Sequence, residues 1–511
     1  MTNRLAMSVL GGAALVLAGQ PSEASYGFYV GKDLTESGGV LIGGTGEEVS
    51  SHWLEIVPRA THEAGETVSV GVTEAATLPG ELIDIPQVPE TFRYLSMFYS
   101  DYEGFPAPLT NGGVNEHQVA VRDIWATTRN ELWDDTATPQ KGPQYSDLAR
   151  LVMERATTAR EGVELIGELI AEHGYSTYGG NSHLIADPNE GWVVWEFAGG
   201  EGLWAAERLG SDEVRVLYPG YIEDFPVDFE DDPDFMGSPN LISYAEEQGW
   251  YDPDSDETFN VFEVYGRQDG PEARTGGFKY MSQADIEDTL SSLAPVSERE
   301  MMDMVRDPRI ADDEAGYGQV ITLEEGIDPD MIHAWVAPTG SVTAPFVPWY
   351  LGVQDVPAEF GMHRYLTKGA ASAFLNPDYQ QQEATDFAGR TFKQVLYYTC
   401  ADPDAYLEDV VALLEGYEAD SFEDREWVET TGRTLIENDE RAAAQAFLTH
   451  YSTGRAMEAL DLGKTMVGWL DARMKLEDAF TAPQTEFIND QGGETPNCLV
   501  GANPDVPADQ Q

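Results

Sequence analysis

A chain of 511 residues with 29 Lys+Arg against 91 Asp+Glu, a net charge of −62, has room for one very large core or two to three ordinary ones. Its 42% hydrophobic and 11% aromatic content belongs to a folded protein and argues against intrinsic disorder. So acidic a surface repels nucleic acid and anionic lipid and keeps a protein dissolved in high salt, so the charge speaks of habitat rather than chemistry.

The N-terminus has the order of a secretory signal: Arg4, an apolar run from Leu5 to Ala18, and small residues Ser22 and Ala24 before a cleavage point after Ala24. The expectation is an exported chain, secreted or periplasmic, that starts at Ser25. No Cys follows the apolar run to carry a lipid, and nothing later in the sequence approaches the ~20 apolar residues of a membrane span. Cleavage at that point would give Ser25 both a hydroxyl and a free α-amine. The side chain of such a residue can attack a carbonyl while its own amine takes the proton. With a pKa of about 7.7–8.0, roughly a tenth to a fifth of such an amine is neutral at pH 7.

Further along, Tyr26–Gly31 and Gly39–Gly44 read as strands joined by a Lys32–Gly38 turn, followed by strands at Trp53–Pro58 and Thr67–Val72. The stretch Gly112–Val121 is a tight turn running into a strand. Apolar residues at i, i+3 and i+4 predict helices over Asp147–Arg155 and Glu161–Glu172, with Gly174 as the stop. Strands return at His183–Asp187, Trp192–Phe197, Leu203–Arg208 and Val214–Leu217. The Pro/Asp-rich stretch 223–257 reads as a solvated acidic insertion; Asp252, Asp254, Asp256 and Glu263 fall at calcium-loop positions, but Glu257 stands where that loop needs Gly. His333–Tyr350 is strand with Pro-rich edges, and from about Gln381 to Phe480 the pattern is amphipathic helix. Cys400 and Cys498 are the only cysteines; in an oxidising compartment they either form one disulfide or remain two thiols. With no paired CxxC and no HExxH, no zinc site is expected.

Several motifs occur in order: YGFYVGKDLTESGGVLIGGTGEE with SSHWLEIVPR, then GGVNEHQVAV, then LARLVMERATTAREGVELIGELIAEHGY, HLIADPNEGWVVWEFAGGEGLWAAERL and APFVPWYLGV. From about Ser25 to Gly352 they resemble the secreted dipeptidases typified by the lactic-acid-bacterial dipeptidase A, N-terminal nucleophile hydrolases related to penicillin V acylase and bile salt hydrolase. The resemblance implies an α+β fold, a four-layer αββα sandwich over residues 25–380, with a helical C-terminal part over 381–485 and a tail over 486–511. It implies hydrolysis of dipeptides or short peptides without metal or organic cofactor. The partner is a small peptide substrate rather than nucleic acid or membrane, with a homo-oligomer left open.

The resemblance also assigns roles. Ser25 stands where the family has its nucleophilic Cys. Gly44 stands where an Arg is usual, and Glu47 where an Asp is. Asn115 matches an Asn that contributes to the oxyanion hole of the related acylases, and a second Asn is replaced by Gly220, leaving backbone N–H groups or Asn181 to complete the hole. His117 and His183, with Asn181, are candidates to contact substrate. Each has a plain reading beside this one: a turn residue for Asn115, a solvated acid for Glu47, hydrogen-bonded structural residues for the two histidines. Two other functions stay open: an acylase cleaving N-acyl amides, and a non-catalytic descendant that binds peptides.

Overall fold

The computed structural model describes residues 25–46, 52–100, 104–217, 220–255, 258–268, 282–311, 315–363, 386–478 and Leu499. Glu47 and Asp256 lie outside these residues, as do residues 1–24.

Two antiparallel sheets form the middle of the molecule. The six-stranded sheet runs, edge to edge, Val214–Leu217, Tyr26–Val30, Val40–Gly46, Tyr317–Leu323, His333–Ala337, Val347–Tyr350. The eight-stranded sheet runs Phe235–Gly237, Trp204–Leu209, Gly191–Glu196, Asn181–Ala186, Ala120–Trp125, Leu109–Asn115, Tyr94–Tyr99, His52–Val57. Their strands are apolar on both faces because both faces are covered. In the first strand Tyr29 joins the core between the sheets, while Tyr26, Phe28 and Val30 join the core beneath the helices. In Gly191–Glu196 the same alternation sends Val193 and Trp195 inward and Trp192 and Val194 outward.

Helices close the sandwich. Tyr145–Arg155 and Ala159–His173 pack Leu148, Leu151, Val152, Val163 and Ile166 on the outer face of the eight-stranded sheet. The first opens on a Gln144/Asp147 capping box, and the second stops where Gly174 takes a positive φ of 83°. Over the six-stranded sheet lie Glu298–Arg306 and the long helices Ala388–Thr399, Pro403–Glu437 and Arg441–Asp478, which bring Met301, Val305, Phe392, Val395, Leu414 and Leu470 onto Phe28, Leu41, Val320 and Trp335. Each such side chain, fully buried, contributes about 1.5–3 kcal/mol. The order is helices, sheet, sheet, helices, an αββα sandwich. The C-terminal helices form one of its layers, with Trp335 stacked on Phe422 and Tyr350 against Tyr451. None of the helices among the described residues is long and apolar enough to cross a membrane.

One expectation changes, and one that the sequence left open is settled. Among its described residues, the stretch 223–257 is not a solvated loop: Phe235–Gly237 pairs with Trp204–Leu209, Leu241–Gln248 is a helix, and Phe225, Phe229, Leu241 and Ala245 are buried in the same hydrophobic cluster as Tyr29 and Trp195. Its acids face solvent while its aromatics pack inward. Cys400 is disulfide-bonded and packs near Leu499; Cys498 lies outside the described residues.

One buried carboxylate ties four elements together. Glu298, first residue of its helix, accepts from Thr322 Oγ1 and from Trp335 Nε1 (3.2 Å) and pairs with Arg425 of the Pro403–Glu437 helix, with His333 Nε2 3.3 Å away. Burial alone would raise its pKa, but His333 and Arg425 outweigh that and hold it well below the usual 4.5. A depressed folded pKa means that this stability is complete above about pH 4.5 and is lost as pH falls toward the folded value. Glu298→Gln should therefore lower unfolding free energy by about 3 kcal/mol at pH 7 and flatten the acid limb of stability. Urea titrations of both proteins at pH 7 and pH 4 check this.

Candidate active site

Alternation in the first strand fixes where Ser25 points. Tyr26, Phe28 and Val30 face the helices, whereas Tyr29 faces the opposite sheet; so do Gly27, where an added Cβ would meet Ile124 Cδ1 at 2.8 Å, and, by the same period, Ser25. Ser25 is buried. Tyr26 pairs with Thr45, so one further step sets Ser25 beside Gly46, about 5 Å away between Cα atoms. Gly46 pairs in turn with Tyr317, and Gly44 with Gln319. Tyr317 and Gln319 therefore share the inter-sheet face with Ser25, across a lane of three glycines.

The facing sheet brings a cation into this layer beside the glycine lane. Arg122 is 1% exposed and reaches across to Gln319 Oε1, to which Nη2 donates, and to Tyr317 Oη, 3.4 Å from Nη1. Burial works against its charge and lowers its pKa, partly offset by Tyr317 and Asp123. It forms no ion pair with any carboxylate among the described residues, and its Nε and the Nε2 of Gln319 are buried without a partner. A buried cation normally has a counter-charge, so this one marks the layer beside Ser25 as a place for a negative or strongly accepting group.

Two glycines explain departures from the family pattern. At Gly44, where the resemblance calls for Arg, an added Cβ would sit 2.3 Å from the Tyr26 carbonyl oxygen and 3.6 Å from Arg122 Cδ. The space is taken, and an arginine from the other sheet already fills it. At Gly220, where an Asn is expected, a Cβ would fall 1.6 Å from Ser182 Oγ, which is itself donated to the Ile124 carbonyl.

Polar contacts extend from this layer. His52 packs on Tyr317 at 5.6 Å and on Tyr99 at 5.2 Å between ring centroids. Its Nε2 is 3.1 Å from Asn111 Oδ1, and Asn111 Nδ2 donates to Asp123 at 3.2 Å. Beyond His52 lies an apolar pocket between the sheets, lined by Leu54, Met97, Val336, Trp349, Phe360 and Phe387 among others.

The structure does not bring Asn115 to this site. Val114 faces the inter-sheet core, so Asn115 faces the helices: Nδ2 donates to the Met153 and Ala156 carbonyls (3.0 and 2.8 Å), and Oδ1 accepts from His117 N and Val119 N. With both amide hydrogens spent on the far side of the sheet, it has none for an oxyanion at Ser25. His117 caps that turn, its ring edge-on to Phe92 at 4.3 Å. His183 is likewise on the helix side, between Glu196 Oε1 (2.7 Å from Nδ1) and the Tyr145 carbonyl (3.0 Å from Nε2). A carbonyl accepts only, so Nε2 carries hydrogen. Burial disfavours charge on both partners; for His183 the Glu196 carboxylate outweighs it and raises the pKa, while burial raises that of Glu196. The pair holds its proton and is neutral overall. Asn181 accepts from Tyr178 Oη and donates to the Ser182 carbonyl, on the same helix-side phase as His183. No cluster of three or more His, Cys, Asp or Glu among the described residues is arranged to hold a metal.

The layering is the αββα order that the sequence resemblance implies. Residues 74–275 match the family model described as Peptidase family C69, and over that segment the chain is dipeptidase-like. It is similar to a "Probable dipeptidase B" of Streptococcus pyogenes, 26% identical over 247 residues that cover 48% of this chain and 46% of that one. A "Probable dipeptidase" of Salmonella dublin is 28% identical over 186 residues, 35% and 40% of the two chains. The chain spans less than half the length of these curated relatives. Among solved structures, a variant of the conjugated bile acid hydrolase from Clostridium perfringens aligns with a TM-score of 0.31 at 9% identity, over 67% of this chain and 97% of that one. The family match begins downstream of Ser25.

Because Asn115 satisfies four backbone groups, Asn115→Ala should cost about 2–4 kcal/mol of stability, seen as a lower midpoint in chemical denaturation. Unchanged stability with lost turnover would return Asn115 to the reacting groups.

Proposed function

We propose that this protein is an exported peptidase that hydrolyses dipeptides or short peptides through Ser25 after residues 1–24 are removed. One observation supports the reading: a serine at the expected new N-terminus has the strand phase of Tyr29, which faces the inter-sheet layer where Arg122 and Gln319 keep donors without a partner among the described residues. The dipeptidase-like character of residues 74–275 supports a peptide substrate.

In this mechanism Ser25 Oγ attacks the scissile carbonyl carbon while its proton passes to the neutral α-amine. The carbonyl oxygen takes the electron pair and becomes an oxyanion, which backbone N–H groups stabilise. As the carbonyl reforms, the C–N bond breaks and the α-ammonium protonates the departing amine. The acyl group is left as an ester on Ser25. Water then attacks that ester, giving its proton to the α-amine, and the same proton returns to Oγ as the acid leaves. The reaction needs no external base, and the cation of Arg122 in the same layer disfavours the ammonium form of the amine.

Protein starting at Ser25 should hydrolyse dipeptides, and its kcat/KM should rise with pH through one ionisation at or below about 8. Ser25→Ala should reduce turnover by at least about 1,000-fold, and chain that keeps residues 1–24 should be equally inactive because its amine is an amide. Equal rates for processed and unprocessed chain contradict the mechanism.

A further inference from the structure

We infer that Arg122, with Gln319, is the receptor for the free α-carboxylate of the substrate, and so selects dipeptides. This rests on the proposed peptidase reading and adds to it the group that sets substrate length.

Three observations converge. Arg122 is fully buried, carries five N–H donors, and uses two of them on neutral partners, Tyr317 Oη and Gln319 Oε1. The unpartnered donors Arg122 Nε and Gln319 Nε2 lie in the same inter-sheet layer. No carboxylate among the described residues pairs with the guanidinium, although Asp123 is next to it in sequence; Asp123 takes a hydrogen bond from Asn111. A planar guanidinium with open N–H groups matches a carboxylate, which offers two acceptor oxygens.

Position then makes the receptor selective. Gln319 pairs with Gly44 and Gly44 with Gly27, one row along from Ser25, Gly46 and Tyr317. Arg122 spans both rows, since Cδ lies over Gly44 and Nη1 reaches Tyr317. In a dipeptide the terminal carboxylate lies within about one residue, 3.8 Å between Cα atoms, of the scissile bond. A peptide longer on that side places an uncharged amide there instead and leaves the cation uncompensated. Gly27, Gly44 and Gly46 present no side chains to the lane between.

The test uses chain beginning at Ser25, in a Ser25→Ala background so that binding is read without turnover. Calorimetry compares leucyl-leucine with leucyl-leucinamide, which differ in the terminal charge. The free acid is expected to bind about 10- to 100-fold more tightly than the amide, and Arg122→Met should remove that preference. An unchanged acid-to-amide ratio in a folded Arg122→Met protein, or no preference in the parent, overturns the proposal. Should Arg122→Met not fold, Gln319→Leu is read the same way: a reduced ratio supports the receptor and an unchanged one overturns it. Because binding is measured apart from hydrolysis, a carboxylate preference in a chain that never turns over would refute the peptidase reading and leave the receptor standing.

Discussion

Side-chain alternation in the first strand is the constraint on which the site depends. Tyr26, Phe28 and Val30 must enter the core beneath the helices, and Tyr29 the core between the sheets. With a period of two, Ser25 has no choice of face. A slip of one residue would turn Ser25 toward the helices and expel three large apolar side chains from their core. The hydrophobic energy of the strand thus holds the hydroxyl in place.

The second determinant is electrostatic. A guanidinium confined between two sheets and hydrogen-bonded, among the described residues, only to a tyrosine and a glutamine is costly to the folded state. Several other buried charges are matched: Arg306 with Glu418, Glu298 with Arg425, Asp330 with Arg93 and Arg441. These tie the C-terminal helices and the first connections to the sheets. The contrast separates structural ion pairs from a group whose compensating charge arrives with a ligand.

Much of the fold was legible. The strand pair after Ser25 and the helices over 145–173 announced themselves through alternation, 3.6-residue periodicity and the glycine stop. Among the helices that went unread are two whose capping boxes, Ser282/Asp285 and Ser297/Glu300, are visible in the sequence. Tyr317–Leu323 was missed too, and with it Tyr317 and Gln319, because its partner Val40–Gly46 lies far away along the chain. The candidate site was less legible. The motif around Asn115 identifies a residue but not the face it occupies; apolar Val114 beside it was the available clue. Arg122 carried a signal as well, a lone charge at an inward position of the strand Ala120–Trp125, but its meaning depends on Gly44 in the other sheet.

Chemical capture of the acyl-enzyme tests the central claim most directly. Chain starting at Ser25 would be mixed with an activated peptide ester, quenched in acid during turnover, and mapped by mass spectrometry. The account predicts one acyl group, joined as an ester to the Ser25 hydroxyl on the N-terminal peptide. Turnover with that peptide unmodified, or with the acyl group on another residue, would contradict it.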